Sequence, residues 1–321
     1  MRYATSATLT PDVLLFLRAE FWSCDQNTPF STEYEYTLRE RVCVCGRMAT
    51  KKDEEGQFQL ISTLRYDPIL PEIVSQSPTL RYPDVLRTPY YLLPYHLDRL
   101  VRAARHFQWH HGALHRFEND PDAFLAFLDG FVPDRAKQWR LRIVVENAPG
   151  LDGIKVEVYP TAPVETPQLL VWPFGTNTRN EGSPVWRIYV DKQQPMEPSG
   201  FTMHKTTARE GYTAARVRAG IMSPQEQAEV LVVNPDGQVM EGSITTPYFW
   251  RPSSAGSDGN GDGEWVTPPL SCGGNAGTTR RYALAQGFCS ERVISAAELV
   301  DGEGCWISNG VRGFMRGVVC S

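Results

Sequence analysis

The sequence predicts an α+β protein built as two domains, and three observations carry the prediction. Strand-type segments rich in β-branched and aromatic residues recur at 58–66, 141–145, 154–159 and 186–190, several of them bounded by turn residues. A helical period lies between them: from Tyr90 to Phe107 the apolar positions 93, 97, 100, 101, 104 and 107 fall on one helix face. The stretch 174–184, rich in Gly, Asn, Thr and Glu, interrupts the pattern and marks a boundary. It separates an N-terminal α/β domain, 1–173, from a C-terminal domain, 186–321, with 174–185 as the linker.

Taken in order, Thr8–Phe21 reads as an amphipathic helix opened by Thr10-Pro11. Tyr34–Cys45 reads as a strand, and Lys51–Gly56 as a charged turn. Phe58–Pro68 is a strand closed by Asp67-Pro68, and Ile69–Arg87, with several prolines, a long loop. Pro94 suits the first turn of the 90–107 helix, and Pro121 that of a short helix over 120–130. Asn147-Ala148-Pro149-Gly150 turns the chain between two strands, and Leu169–Trp172 forms another. Farther on, Ala228–Glu241 is a hairpin about an Asn-Pro-Asp-Gly turn. Gly277-Thr278-Thr279-Arg280 opens a helix over 281–287, Cys305–Ile307 is a strand, and Ala296–Leu299 and Val311–Val319 are helical or turn-like.

Composition excludes several classes. The chain has 321 residues, 41% hydrophobic and 21% charged, with net charge −5. It has no long basic run, so nothing calls for nucleic acid or an anionic membrane as partner. The longest apolar run, Val13–Leu17, is far too short to span a bilayer, and no secretory signal is evident. Seven cysteines without framework spacing point to reduced thiols and a cytoplasmic protein. Cys43-Val44-Cys45 lacks zinc spacing. Asp258, Asn260, Asp262 and Gly263 imitate a calcium loop, but Pro269 stands where its last ligand belongs, so 251–264 reads as a surface loop. His110, His111 and His115 lack a partner acid for zinc and are expected on the surface; no metal is expected.

One lysine organises the C-terminal half. Lys205 lies between the strand 186–190 and the helix-favouring run 214–219. A lysine held at such a junction can be desolvated, which lowers its pKa and frees the amine to form a Schiff base. Glu241 ends an apolar strand, where a carboxylate needs a cationic or hydrogen-bonding partner; a pyridinium nitrogen is one. The Gly-rich loop 273–280 enters a helix whose N-terminus suits a phosphate, and Ser308-Asn309-Gly310 offers a second turn. An amine, a ring-nitrogen partner and a phosphate cradle are what pyridoxal 5′-phosphate requires.

The ordered motifs HKTTxRxxY (204–212), EGSIT (241–245), TPPLxxGxxxGTTR (267–280) and SNGxRG (308–313) resemble the class IV aminotransferase superfamily, fold type IV of the pyridoxal-phosphate enzymes. The likeness covers roughly 58–66, 90–107 and 186–316. It implies a small N-terminal α/β domain, a larger C-terminal pseudo-barrel domain and a cytoplasmic homodimer acting on small amine or amino-acid substrates. Lys205 matches the Schiff-base lysine, Glu241 the carboxylate on the ring nitrogen, and Tyr212 the tyrosine near the cofactor's phenolic oxygen. Arg99 matches the phosphate-binding arginine, while Gly277, Thr278, Thr279, Ser308 and Asn309 match the phosphate turns. Thr246 and Thr278 depart from the usual asparagine and isoleucine. Arg65 and Arg209 are candidates for substrate carboxylates, beside an ordinary ion-pairing role.

The lysine segment is most similar to lyase-type members, which implies elimination of pyruvate from 4-amino-4-deoxychorismate to give 4-aminobenzoate. A transaminase acting on (R)-amines, D-amino acids or branched-chain amino acids is the alternative, and a non-catalytic cofactor-binding scaffold is the remote one.

Overall fold

In the computed structural model, residues 58–76, 88–148, 150–170, 185–223, 225–252 and 263–320 are described. The readings made for 8–21, 34–45, 51–56 and 174–184, and most of 251–264, lie outside them.

Among the described residues the strands form two sheets. In the first, β1 (Leu60–Tyr66) pairs antiparallel with β2 (Trp139–Val145), and β2 with β3 (Ile154–Pro160). The chain between β1 and β2 forms α1 (Leu70–Gln76), α2 (Leu93–His106), α3 (Gly112–Asn119) and α4 (Pro121–Asp129). α2 buries Leu93, Leu97, Leu100, Val101 and Ala104, the face its periodicity predicts. Each large side chain of that stripe contributes about 1.5–3 kcal/mol of apolar burial. They pack against Leu60, Leu64 and Tyr66 of β1.

The second sheet holds β4 (Trp186–Val190), β5 (Ala228–Val233), β6 (Val239–Gly242), β7 (Thr246–Pro252), β8 (Gly263–Thr267), β9 (Ser290–Glu291), β10 (Gly304–Asn309) and β11 (Gly313–Val319), in the order β6-β5-β4-β11-β10-β7-β8-β9. Its two ends meet: Gln238 bridges Ser295, and the Val239 amide donates to Ile294 O at 2.9 Å. The sheet therefore curls back on itself as a pseudo-barrel. Its parallel pair β4–β5 explains why β5 is buried at every position, as parallel strands covered on both faces are.

Three readings are corrected. The 69–87 loop begins with the helix α1. Leu169 and Leu170 end a short helix, α5 (Thr166–Leu170), rather than a strand. Residues 313–319 are β11, because Phe314, Met315 and Val319 are buried in the second sheet's core clusters.

The β10–β11 hairpin turns through 310–312. Asn309 Oδ1 accepts from the amides of Val311 and Arg312 at 3.0 and 2.9 Å, and Gly313 follows at φ +67°. A Cβ on Gly313 would stand 2.1 Å from Gln168 O. Gly313→Ala is therefore expected to cost at least about 1–3 kcal/mol in urea unfolding, with the midpoint falling and the slope unchanged.

Candidate active site

α6 (Gly200–Met203), where Thr202 Oγ1 accepts from the Ser199 amide at 2.9 Å, delivers the chain to an extended segment that pairs with β1. The Ile61 amide donates to Lys205 O at 2.9 Å, Leu60 bridges Thr206, and the Thr207 amide donates to Gln59 O at 2.9 Å. Lys205 is thus fixed along β1 by backbone bonds, and only then does α7 (Glu210–Arg218) begin. Its side chain enters a cavity of about 1270 Å³. Burial pushes the ammonium down to about 7, and the cations Arg209 and Arg99 press the same way against Glu241 and Glu229.

Every other sequence-derived site candidate lines this cavity with Lys205: Arg65, Arg99, Arg209, Tyr212, Glu241, Gly277, Thr278, Thr279, Ser308 and Asn309. Glu241 stands on β6, and burial raises its carboxyl above the usual range although Tyr212, Arg209 and Lys205 oppose the rise. The Tyr212 hydroxyl donates to Glu241 Oε1 at 2.5 Å, so in this structure its partner is the carboxylate. Arg209 lies 4.4 Å over the Tyr212 ring and donates to Ser243 O. Arg65 is fully buried and ion-paired to Asp67 at 2.8 Å, yet its Nη2 lacks a protein partner. Arg140 and Arg312 line the same wall.

A second group gathers at α8 (Thr278–Gln286), whose N-terminus leaves amides without helical acceptors. Ser308 Oγ donates to Thr279 Oγ1 at 2.7 Å and meets Tyr248 Oη at 2.8 Å. Arg99 Nη2 donates to Ser62 Oγ at 2.6 Å and contacts His96 Nδ1 at 3.2 Å, whereas its buried Nε is unpartnered. Glycine is required at two points: a Cβ on Gly277 would stand 2.9 Å from Thr246 Oγ1, and one on Gly310 2.8 Å from His96 Cε1. A guanidinium with an unused donor, three hydroxyls and a helix N-terminus fit a phosphate dianion.

The sequence reading missed Ser62 and His96, which hold Arg99, and also Glu229, a lone acid inside the apolar strand β5. It also placed His111 on the surface. His110 and His115 are exposed, but His111 is 5% exposed because it packs beneath Gly153.

The lowered pKa has a direct consequence. A depressed ammonium loses its proton early, so competitive labelling of Lys205 with acetic anhydride should reach half its plateau near pH 7, whereas exposed lysines titrate near about 10.4. Mass spectrometry of the Lys205 peptide across pH 5–11 measures it.

A desolvated lysine, a buried carboxylate and a cluster of donors suited to an anion share one cavity, and comparison with known proteins places the chain in a class. The family model described as amino-transferase class IV matches residues 85–319, and the chain belongs to that family of enzymes. Over 144 residues it is 35% identical to the aminodeoxychorismate lyase of Saccharomyces cerevisiae. The alignment covers 42% of this chain and 37% of the yeast protein, so the match spans little more than a third of that relative. The fold is similar to a branched-chain aminotransferase from Thermoproteus uzoniensis, with TM-score 0.52 and 19% identity over 83% of this chain and 78% of that one. It is also similar to a fold IV-transaminase from Curtobacterium pusillum, with TM-score 0.52 and 18% identity over 82% and 79%.

Proposed function

We propose that the chain is a pyridoxal-phosphate enzyme of the lyase type, releasing pyruvate from 4-amino-4-deoxychorismate to give 4-aminobenzoate. The observation that carries the cofactor is the cavity itself, with a desolvated amine between a buried carboxylate and a phosphate-shaped cluster of donors. The likeness to the yeast lyase supports the reaction.

When bound, pyridoxal phosphate supplies an aldehyde for imine exchange with the substrate amine and a ring that withdraws electrons from the substrate carbon. Arg99, Thr278, Thr279 and Ser308 hold its phosphate. Glu241, fixed by Tyr212, keeps a proton on the ring nitrogen. Lys205 would hold the cofactor through its amine and would take the proton from the substrate's ring carbon that bears the nitrogen. The C–O bond to the enolpyruvyl group breaks, the ring becomes aromatic, and the departing enolpyruvate takes up a proton to become pyruvate. Arg65, with an unpaired Nη2 on the cavity wall, accepts a substrate carboxylate, and Arg209 flanks the amine. The family reading also carries a homodimer, which light scattering on a sizing column tests.

The experiment offers the purified protein 4-amino-4-deoxychorismate, and separately (R)-1-phenylethylamine, D-alanine and branched-chain L-amino acids with a keto acid. Release of 4-aminobenzoate with pyruvate is expected. Ketone or keto-acid formation without 4-aminobenzoate replaces the lyase by a transaminase.

A further inference from the structure

Glu229 is the second residue of β5, in Ala228-Glu229-Val230-Leu231-Val232-Val233, and it is fully buried. A carboxylate placed so deep in a strand costs several kcal/mol unless its oxygens are satisfied. Here they are. Oε1 accepts from the Val230 amide at 2.8 Å, the Ser243 amide at 3.1 Å and Ser243 Oγ at 2.5 Å. Oε2 accepts from the Ile244 amide at 3.0 Å and Thr245 Oγ1 at 2.8 Å. Four of these five donors belong to one turn, 243–245, which begins two residues after Glu241.

That turn has other holds as well: Arg209 donates to Ser243 O, and Gly242 pairs with Leu231 of β5. The Ser243 amide also meets Val230 O, and the Gly242 amide meets Thr245 O, both at 2.9 Å. Arg216 Nη1 reaches Ser243 Oγ at 3.0 Å and lies 3.7 Å from Glu229 Oε1. Gly242 leaves room for the carboxylate, since a Cβ there would stand 3.0 Å from Glu229 Cδ. One buried anion on the neighbouring strand thus takes four donors of the turn just after Glu241, more than any other group that holds it.

We propose that Glu229 is a positioning residue for Glu241: it clamps the 242–245 turn so that the Glu241 carboxylate holds its place at the floor of the cavity. The inference rests on the reading of Glu241 as the ring-nitrogen carboxylate. An amide at 229 cannot replace the anion, because its NH₂ group would face either two amides and a hydroxyl or one of each. The turn must then shift, and displacement of a catalytic group by about 1 Å can cost as much as a hundredfold in rate.

The test compares Glu229→Gln, Glu241→Gln and the double variant in the pyridoxal-phosphate-loaded protein. It reads kcat, KM, the dissociation constant for pyridoxal phosphate and the pH titration of the bound cofactor's visible absorbance. Glu229→Gln is expected to lower kcat about ten- to a hundredfold with KM within about threefold, and to move the absorbance titration in the same direction as Glu241→Gln. In the Glu241→Gln background it should change kcat by less than about twofold, since coupled sites are non-additive. If Glu241→Gln leaves the titration unmoved, the reading of Glu241 fails, and the positioning role with it. If Glu241→Gln moves it while Glu229→Gln only lowers the melting temperature, or lowers kcat equally in both backgrounds, the positioning role alone is overturned. Should Glu229→Gln not fold, Ser243→Ala with Thr245→Val removes two donors and keeps the charge. The same shifts, smaller, support the role, and unchanged kcat and absorbance overturn it.

Discussion

Lys205→Ala is expected to lower turnover at least about 10⁴-fold, because in the proposed reaction one side chain supplies both the exchanging amine and the proton carrier. The fold should survive the change. Lys205 is held by its backbone, through the Ile61 amide on its carbonyl and the neighbouring Leu60–Thr206 bridge, and none of that involves the ammonium. The substitution should even favour the apoprotein. A lysine whose folded pKa lies below its unfolded value binds fewer protons folded than unfolded, so its charge opposes folding most at and below that pKa and ceases to matter above about 10.4. Removing it beside Arg209 and Arg99 relieves the repulsion, and the apoprotein's melting temperature at pH 7 should hold or rise. Borohydride reduction in the presence of pyridoxal phosphate should add the cofactor's mass to the Lys205 peptide of the natural protein and to no corresponding peptide of the variant. Turnover above about 1% in the variant, or a label on another lysine, would remove Lys205 from the chemistry.

What was legible in the sequence follows from where the physics is local. The α2 stripe could be read because its burial pattern has the period of its backbone, and the hairpin at 234–237 because Asn-Pro-Asp-Gly dictates a turn, with Gly237 at φ +74°. Ordered motifs revealed Lys205, Glu241, Arg99 and the 277–279 helix start, and these line one cavity. β11 was misread because Gly-Phe-Met-Arg-Gly-Val-Val has two glycines and a central arginine; its strand character comes from pairing with β10 and β4, which lie remote or across a tight turn. α5 was misread because two leucines at the end of a five-residue helix carry no period to distinguish them from a strand. Glu229 escaped for the opposite reason. Its signal was present, one acid in an otherwise apolar strand, but the donors that make it tolerable sit 14 to 16 residues away in sequence. The support of Arg99 was partly hidden, since His96 lies one turn away on the same helix but Ser62 meets Arg99 only once β1 and α2 have packed.

Arg99→Met separates the phosphate from the rest of the cofactor. Its guanidinium is oriented before any ligand arrives: Nη2 donates to Ser62 Oγ, Ser62 Oγ lies 2.8 Å from His96 Nδ1, and His96 is buried and kept neutral by desolvation beside Arg99. Because arginine has no acceptor, the His96 nitrogen facing it accepts, and the ring's proton resides on Nε2. Burial and the nearby Arg281 pull Arg99 down to about 10, which still leaves it charged at neutral pH. Charge-assisted bonds are worth about 1.5–3 kcal/mol each, so losing two of them corresponds to about 10²–10⁴-fold in the dissociation constant for pyridoxal phosphate. The same variant should bind pyridoxal, which lacks the phosphate, within about threefold of the natural protein. Arg99→Lys should recover only part of the loss, since an ammonium cannot bond to Ser62 and present a second donor in the same plane. Fluorescence titration of the apoprotein with both ligands measures the difference. Equal losses for pyridoxal and its phosphate would mean that Arg99 supports the cavity wall rather than the phosphate, and would move the anion site to α8 alone.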